Sequence, residues 1–166
     1  MIFLTVGTQL AFPRLTEAMN RFAANTDEKI IAQVGTETTA LPNLDVRRMM
    51  DPVSFDETFS QARVIVAHAG IGTILSAKRF QRPLIIVPRR HDLEEHRNDH
   101  QLATARALAD EPGVYVAWQI DDLPGLLQRT DLHPAQTGFG SKHGALIDGI
   151  SQYIQGVRPS PPNASR

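Results

Sequence analysis

The sequence predicts a Rossmann-like α/β domain, a parallel six-stranded sheet of order 3-2-1-4-5-6 with helices on both faces. Three observations predict it. Short β-rich runs alternate with segments of helical period along most of the 166 residues, the pattern of a parallel sheet covered on both sides. The runs fall into two groups of three, as in doubly wound folds. A glycine-bearing turn, His68-Ala69-Gly70-Ile71-Gly72-Thr73, follows the fourth run, beside the switch point where such folds bind ligands.

Taken in order, Ile2 to Val6 reads as a buried first strand. A helix follows from about Pro13, a residue suited to a first helical turn, with Leu15, Met19, Phe22 and Ala23 on one face. Lys29 to Val34 is the second strand, and Asp45 to Met50 a weaker third. A short helix from about Ser54 to Ala62 leads to the fourth strand, Val64 to Ala67. The next helix starts inside the glycine turn and ends near Phe80. Leu84 to Val87 is strand five, followed by a polar stretch from Pro88 to Glu94, a helix of about Glu95 to Ala109, and strand six, Val114 to Trp118. Asp121 to Gln128 reads as a short helix with acidic residues in its first turn, and Thr130 to Gly144 as loop. A last helix, about 145–155, carries Leu146, Ile147, Ile150, Tyr153 and Ile154 on one stripe. Residues 1–157 are read as a single domain and 158–166 as a disordered tail.

Composition narrows the class. With 42% hydrophobic and 21% charged residues the chain reads as an ordinary soluble domain. Its 17 basic and 18 acidic side chains leave a net charge of -1, so no general attraction draws it to nucleic acid or anionic lipid. There is no cysteine, which excludes a disulfide framework and thiolate metal sites and fits a reducing, cytoplasmic address. The apolar opening is too short for a membrane span and lacks the flanks of a signal peptide.

The chemistry gathers at the carboxyl ends of the strands. Gly70 and Gly72 let the backbone approach a ligand closely, and the helix N-terminus that they open offers unpaired N–H groups and partial positive charge to an anion. Thr73 adds a hydroxyl donor, and His68 can donate to a phosphate oxygen. The plainer alternative makes Gly70 and Gly72 a tight turn only, and His68 a structural histidine. Gly7 and Thr8 sit on the facing turn and offer further contacts; an ordinary strand-ending turn is the equal alternative. Neither turn completes the dinucleotide fingerprint, since Leu75 occupies the third glycine position, and no phosphate-loop motif occurs. The stretch from Pro88 to Gln101 is dense in polar groups that suit hydroxyl recognition. His96 and His100 lie one helical turn apart beside Glu95 and Asp99, but not as H-E-x-x-H, so a solvated face outweighs a metal site.

Val66-Ala67-His68-Ala69-Gly70-Ile71-Gly72-Thr73-Ile74, Pro83-Leu84-Ile85-Ile86-Val87-Pro88 and Glu95-His96-Arg97-Asn98-Asp99-His100-Gln101 together resemble the donor-binding half of GT-B glycosyltransferases. Val6-Gly7-Thr8 and Gln33-Val34-Gly35 add to the likeness, which runs from about Met1 to Gln128. Within that family the chain is similar to small subunits of split enzymes. These include the catalytic subunit of the dolichol-linked N-acetylglucosaminyltransferase and exopolysaccharide subunits of the PssE and EpsF type. The resemblance implies inverting transfer of a sugar from a UDP-sugar donor to a polyprenyl-linked acceptor, with neither a cofactor nor an obligatory metal. It implies a separate membrane-anchored subunit that binds the acceptor, carries the general base, and holds this chain at the inner face of the membrane.

By the same resemblance His68, Gly70, Gly72 and Thr73 meet the diphosphate, while His91, Glu95, Asp99 and Gln101 lie near the sugar. Many relatives hold the ribose with a glutamate on the helix after the glycine turn. Here that position is Ser76, which leaves ribose recognition open or shifts it to Glu95 or Asp99. Arg89 and Arg90 can neutralise a uronic acid carboxylate, which favours a glucuronosyl donor; solvated surface arginines are the weightier alternative. The stripe of the last helix either covers the domain's own sheet or docks on the partner, with the partner favoured, and an uncovered stripe would promote self-association. Two other functions compete: a non-catalytic nucleotide-binding or enhancer subunit, and a stand-alone nucleotide-sugar enzyme such as an epimerase.

Overall fold

Each of the six expected strands forms, and the sheet is parallel throughout in the order β3-β2-β1-β4-β5-β6. The computed structural model describes residues 1–136. The expected docking helix at 145–155 and the tail at 158–166 lie outside the described residues. The strands are β1 (Ile2–Thr5), β2 (Ile30–Gln33), β3 (Asp45–Arg47), β4 (Val64–His68), β5 (Leu84–Val87) and β6 (Val114–Val116). The helices are α1 (Pro13–Ala23), α2 (Pro52–Gln61), α3 (Ile71–Phe80), α4 (His100–Leu108) and α5 (Leu123–Gln128). Two 3₁₀ turns, His91–Leu93 and Ile120–Asp122, precede α4 and α5.

Alternation along the central strands assigns each side chain to one of two cores. Ile2 and Leu4 of β1, Val64 and Val66 of β4, and Ile85 and Val87 of β5 face Phe12, Leu15 and Met19 at α1 and Leu123 and Leu127 of α5. Phe3, Ile65, Ala67, Leu84 and Ile86 face the other way, onto Phe59, Ile74, Ala77, Ala105 and Leu108 of α2, α3 and α4. Burial on both faces explains why these strands read as continuous apolar runs. Phe3 meets Phe55 and Phe59 edge-on, with ring centroids 5.4 and 5.9 Å apart.

Several boundaries differ from expectation, among them three near the site. Helix α2 begins at Pro52 instead of Ser54, because the Asp51 carboxylate caps it by accepting from the Val53 and Ser54 amides at 3.0 Å. Strand β3 ends at Arg47, short of Met50. The largest difference lies after β5, where α4 starts at His100, not Glu95. Glu94 adopts a left-handed φ of 57°, the Glu95 carboxylate accepts from the Arg90 amide, and Asn98 Oδ1 accepts from the His100 amide. These side chains compete with the helix for backbone groups and hold residues 94–99 as a loop.

Among the described residues no helix is long and apolar enough to cross a membrane.

Candidate functional site

Strands β1 and β4 are neighbours in register from Ile2 opposite Val64 to Thr5 opposite Ala67, yet α1 and α3 leave toward opposite faces of the sheet. The turns at their carboxyl ends therefore part and leave a crevice. A cavity of about 720 Å³ occupies it, within the range of roughly 300–1,000 Å³ usual for small-molecule sites.

The β4–α3 turn provides donors. The first hydrogen bond of α3 runs from the Ile74 amide to the Gly70 carbonyl, and no side chain caps the helix. The amides of Ile71, Gly72 and Thr73 precede the ladder and have no acceptor among the described residues. Gly72, Thr73 and Ser76 all line the cavity, so the positive end of the helix and two hydroxyl side chains converge on one space.

The turn's two glycines serve different ends. A Cβ on Gly70 would overlap the His68 imidazole at Nε2. Gly7, from the facing turn, adopts a φ of 81° and would place a Cβ 2.9 Å from His68 Cε1. The ring is thus wedged between two positions that only glycine fits. At Gly72 a Cβ would meet nothing within 4 Å. Packing within the chain therefore does not require a glycine there.

Burial and the nearby Arg89 guanidinium push the His68 imidazole down to about 4, against an opposing pull from the Thr5 backbone. The ring is neutral at pH 7, and its buried Nδ1 has no hydrogen-bond partner. It can offer an anion a neutral N–H, not a charge.

Arg89 is neither a surface arginine nor a free cation. It is 2% exposed and its guanidinium donates to the carbonyls of Ala11 (2.6 Å), Val6 (3.2 Å) and Leu10 (2.8 Å). It also stacks 4.3 Å from the centroid of Phe12. Burial lowers it to about 10, so it remains a cation that fastens the β1–α1 turn. The amide of Arg89 in turn donates to Gln101 Oε1 at 3.1 Å. Arg90 pairs with the Asp92 carboxylate.

The structure brings Gly7, Thr8, His68, Gly70, Gly72, Thr73, Ser76, Arg89 and Gln101 around the cavity, and leaves His91, Glu95 and Asp99 off its lining. Those three have other partners. Glu95 receives a bidentate pair from Arg14, at 2.6 and 2.7 Å, so its carboxylate is engaged within the chain. Asp99 Oδ1 accepts from the His91 amide at 3.3 Å. Among the described residues no group of three or more His, Asp or Glu side chains is arranged to hold a metal.

Several lining residues were not anticipated. Thr5 Oγ1 donates to Gln33 Oε1 at 2.9 Å, a buried pair at the ends of β1 and β2. A polar residue closing an otherwise apolar strand was the available signal. Met50, Pro52, Phe55 and Ile71 form an apolar wall, and His96 also lines the cavity; Pro52 and Phe55 arrive on α2 and Met50 and His96 on loops, and nothing local in the sequence marks their approach.

The comparisons with known proteins bear on the family and the fold. The family model described as the glycosyltransferase family 28 C-terminal domain matches residues 1–136. The chain is 29% identical over 126 residues to the Homo sapiens UDP-N-acetylglucosamine transferase subunit ALG13, an alignment that covers 69% of this chain and 11% of that protein. In fold it is similar to MurG of Acinetobacter baumannii, with a TM-score of 0.59 at 19% identity over 92% of this chain and 49% of MurG. It is similar as well to the NMR structure of ALG13, with a TM-score of 0.59 at 16% identity over 88% of this chain and 94% of that one. The chain thus spans about a tenth of the human relative's length and about half of MurG's. On the match to residues 1–136, this chain belongs to the glycosyltransferase family 28 C-terminal domain family.

Proposed function

We propose that the chain binds the UDP-sugar donor in a two-component inverting glycosyltransferase, with a membrane-associated partner that binds a lipid-linked acceptor. The observation that carries this reading is the set of acceptor-less amides at Ile71, Gly72 and Thr73 facing the cavity. As the bond from sugar to diphosphate breaks, negative charge grows on the leaving phosphate oxygens. Fixed N–H dipoles and the Thr73 hydroxyl meet that charge without reorganising. The apolar wall of Met50, Pro52 and Phe55 suits a flat nucleobase, and Ser76 is placed to hydrogen-bond a ribose hydroxyl.

The need for a partner follows from chemistry. Inverting transfer requires a base to take the acceptor's proton. Among the described residues that line the cavity there is no Asp or Glu; of its two histidines, His68 lies buried beside a cation and His96 is held through Nδ1 by Asn98, outside the turn that would bind the diphosphate. A base from a second subunit fits this arrangement. The case for a glucuronosyl donor weakens, since Arg89 holds backbone carbonyls and Arg90 holds Asp92, which favours the galactose and N-acetylglucosamine donors over it.

Calorimetric titration of the purified chain with UDP, UDP-glucose, UDP-galactose, UDP-N-acetylglucosamine, UDP-glucuronate and NAD tests the reading. UDP and one or more UDP-sugars are expected to bind and NAD is not. Binding of NAD in preference to UDP would overturn it, as would failure of UDP to bind at millimolar concentration.

A further inference from the structure

We propose that Arg14 is a positioning residue for recognition of the donor's sugar, acting from α1 through Glu95 on the loop after β5. The inference rests on the donor-binding reading above. Arg14 Nε donates to Glu95 Oε1 and its Nη2 to Oε2, at 2.6 and 2.7 Å. The same Nη2 donates to the Pro88 carbonyl at 3.0 Å. Glu95 Oε2 accepts the Arg90 amide at 3.0 Å. One guanidinium thereby draws Pro88, Arg90 and Glu95 together and closes the segment 88–95 on itself. The two side chains are only 20% and 11% exposed, so salt screens the pair far less than one in open solvent, and its bidentate geometry fixes direction as well as distance.

The next residue is His96, which lines the cavity. Its ring Nδ1 lies 3.2 Å from the Asn98 carbonyl and 3.1 Å from Asn98 Oδ1. Asn98 Oδ1 also accepts from the His100 amide, which fixes it as an acceptor. Nδ1 then carries a proton, and in that tautomer the ring's acceptor is Nε2. Nε2 has no partner among the described residues. The His96 carbonyl is held as well, accepting from His91 Nδ1 at 3.1 Å. Arg14 itself does not line the cavity. Its grip on Glu95 sets where a single hydrogen-bond acceptor stands at the cavity, a group suited to a sugar hydroxyl. None of Arg14's bonds reaches the amides of Ile71 to Thr73, so diphosphate binding and sugar recognition should separate.

The test is titration of the full chain with UDP and with the tightest UDP-sugar of the panel above. It compares wild type, Arg14→Ala, Glu95→Ala, the double variant, and the milder Arg14→Lys and Glu95→Gln, with thermal melts alongside. Each alanine variant is expected to keep its affinity for UDP and to lose roughly fivefold to tenfold for the UDP-sugar, about the worth of one hydrogen bond. The double variant should lose no more than either single one, and the conservative variants should fall between. Equal losses for UDP and UDP-sugar would reduce the pair to a fold-supporting role and overturn the inference, as would no loss at all. Wild type binding UDP but gaining nothing from any sugar would also overturn it. Wild type failing to bind UDP would instead bring down the donor reading beneath it.

Discussion

The β4–α3 turn and the loop after β5 border the same cavity, and they hold their polar groups in opposite ways. The turn carries no ionised side chain, yet four of its donors have no partner among the described residues: three amides and the Thr73 hydroxyl. The loop is dense in charge, yet its carboxylates at 92, 95 and 99 are already engaged, Glu95 with Arg14, Asp92 with Arg90, and Asp99 with the His91 amide, while Glu94 and Arg97 are exposed. What recommends a segment as a ligand site is the polar capacity left after the chain's own needs are met. By that measure the uncharged turn is the site and the charged loop is its scaffold, with His96 as the exception.

The largest expected effect separates the two glycines within the turn. Gly70→Ala forces a methyl group into the His68 ring, and overpacking of this kind costs about 1–3 kcal/mol. Thermal melts should show that loss, and UDP titration should show binding fall with it, since the ring and turn can no longer share the space. Gly72→Ala has open space around its Cβ and a helical position that favours alanine, so its melting temperature should hold or rise. Its affinity for UDP should still fall about tenfold, equivalent to about 1.4 kcal/mol, because the methyl occupies room the diphosphate needs. A Gly72→Ala variant that binds UDP as wild type does would move the diphosphate off this turn.

His68 sharpens the comparison through pH. Its value in the folded chain is about 4 against 6.5 for an unperturbed imidazole. Between these two values the unfolded chain carries a proton that the folded chain does not. Stability therefore rises with pH across that window and is fully present above it. A gap of this size corresponds to roughly 3 kcal/mol. Urea titrations at pH 4.5, 5.5 and 7 should recover most of that slope in wild type and little of it in His68→Gln. An unchanged slope in the variant would place the pH dependence elsewhere, on carboxylates such as Glu37 or Asp51, whose values are lowered by hydrogen bonds from neighbouring amides and hydroxyls.

What the sequence made legible follows from which interactions are local. The sheet order was readable because apolar runs report burial on both faces, and because two groups of three strands leave few ways to wind the chain. The glycine turn was readable because strand, turn and helix are contiguous. The functions of Gly70 and Gly72 looked alike, since nothing local shows that an imidazole two residues back fills one of them and not the other. The burial of Arg89 and the partner of Glu95 were illegible for the same reason. Their partners, at Val6 to Ala11 and at Arg14, lie more than 70 residues away, and a charged side chain in a polar stretch looks the same whether it meets solvent, a ligand or a distant carbonyl. The boundary of α4 failed locally: periodicity continues back to Glu95, but Asn98 Oδ1 takes the His100 amide and His91 Nδ1 meets the His96 carbonyl, the two groups that a longer helix would join.

The smallest effects test whether unpaired capacity, and not charge, marks the site. Thr73→Val removes one hydroxyl while keeping the shape of the side chain. Thr73 is partly buried with no partner for its hydroxyl among the described residues, so stability should change by no more than about 0.5 kcal/mol. Affinity for UDP should drop by roughly 1 kcal/mol, the net value of a hydrogen bond. Asp92→Ala provides the contrast within the loop. It removes a full charge and a bidentate pair to Arg90, but Asp92 is exposed and does not line the cavity. An exposed pair contributes about 0–1 kcal/mol, and UDP affinity should not change. If titration ranks the two variants the other way, so that losing the Asp92 charge weakens UDP binding more than losing the Thr73 hydroxyl, electrostatics of the loop dominate recognition and the turn is no more than a tight connection.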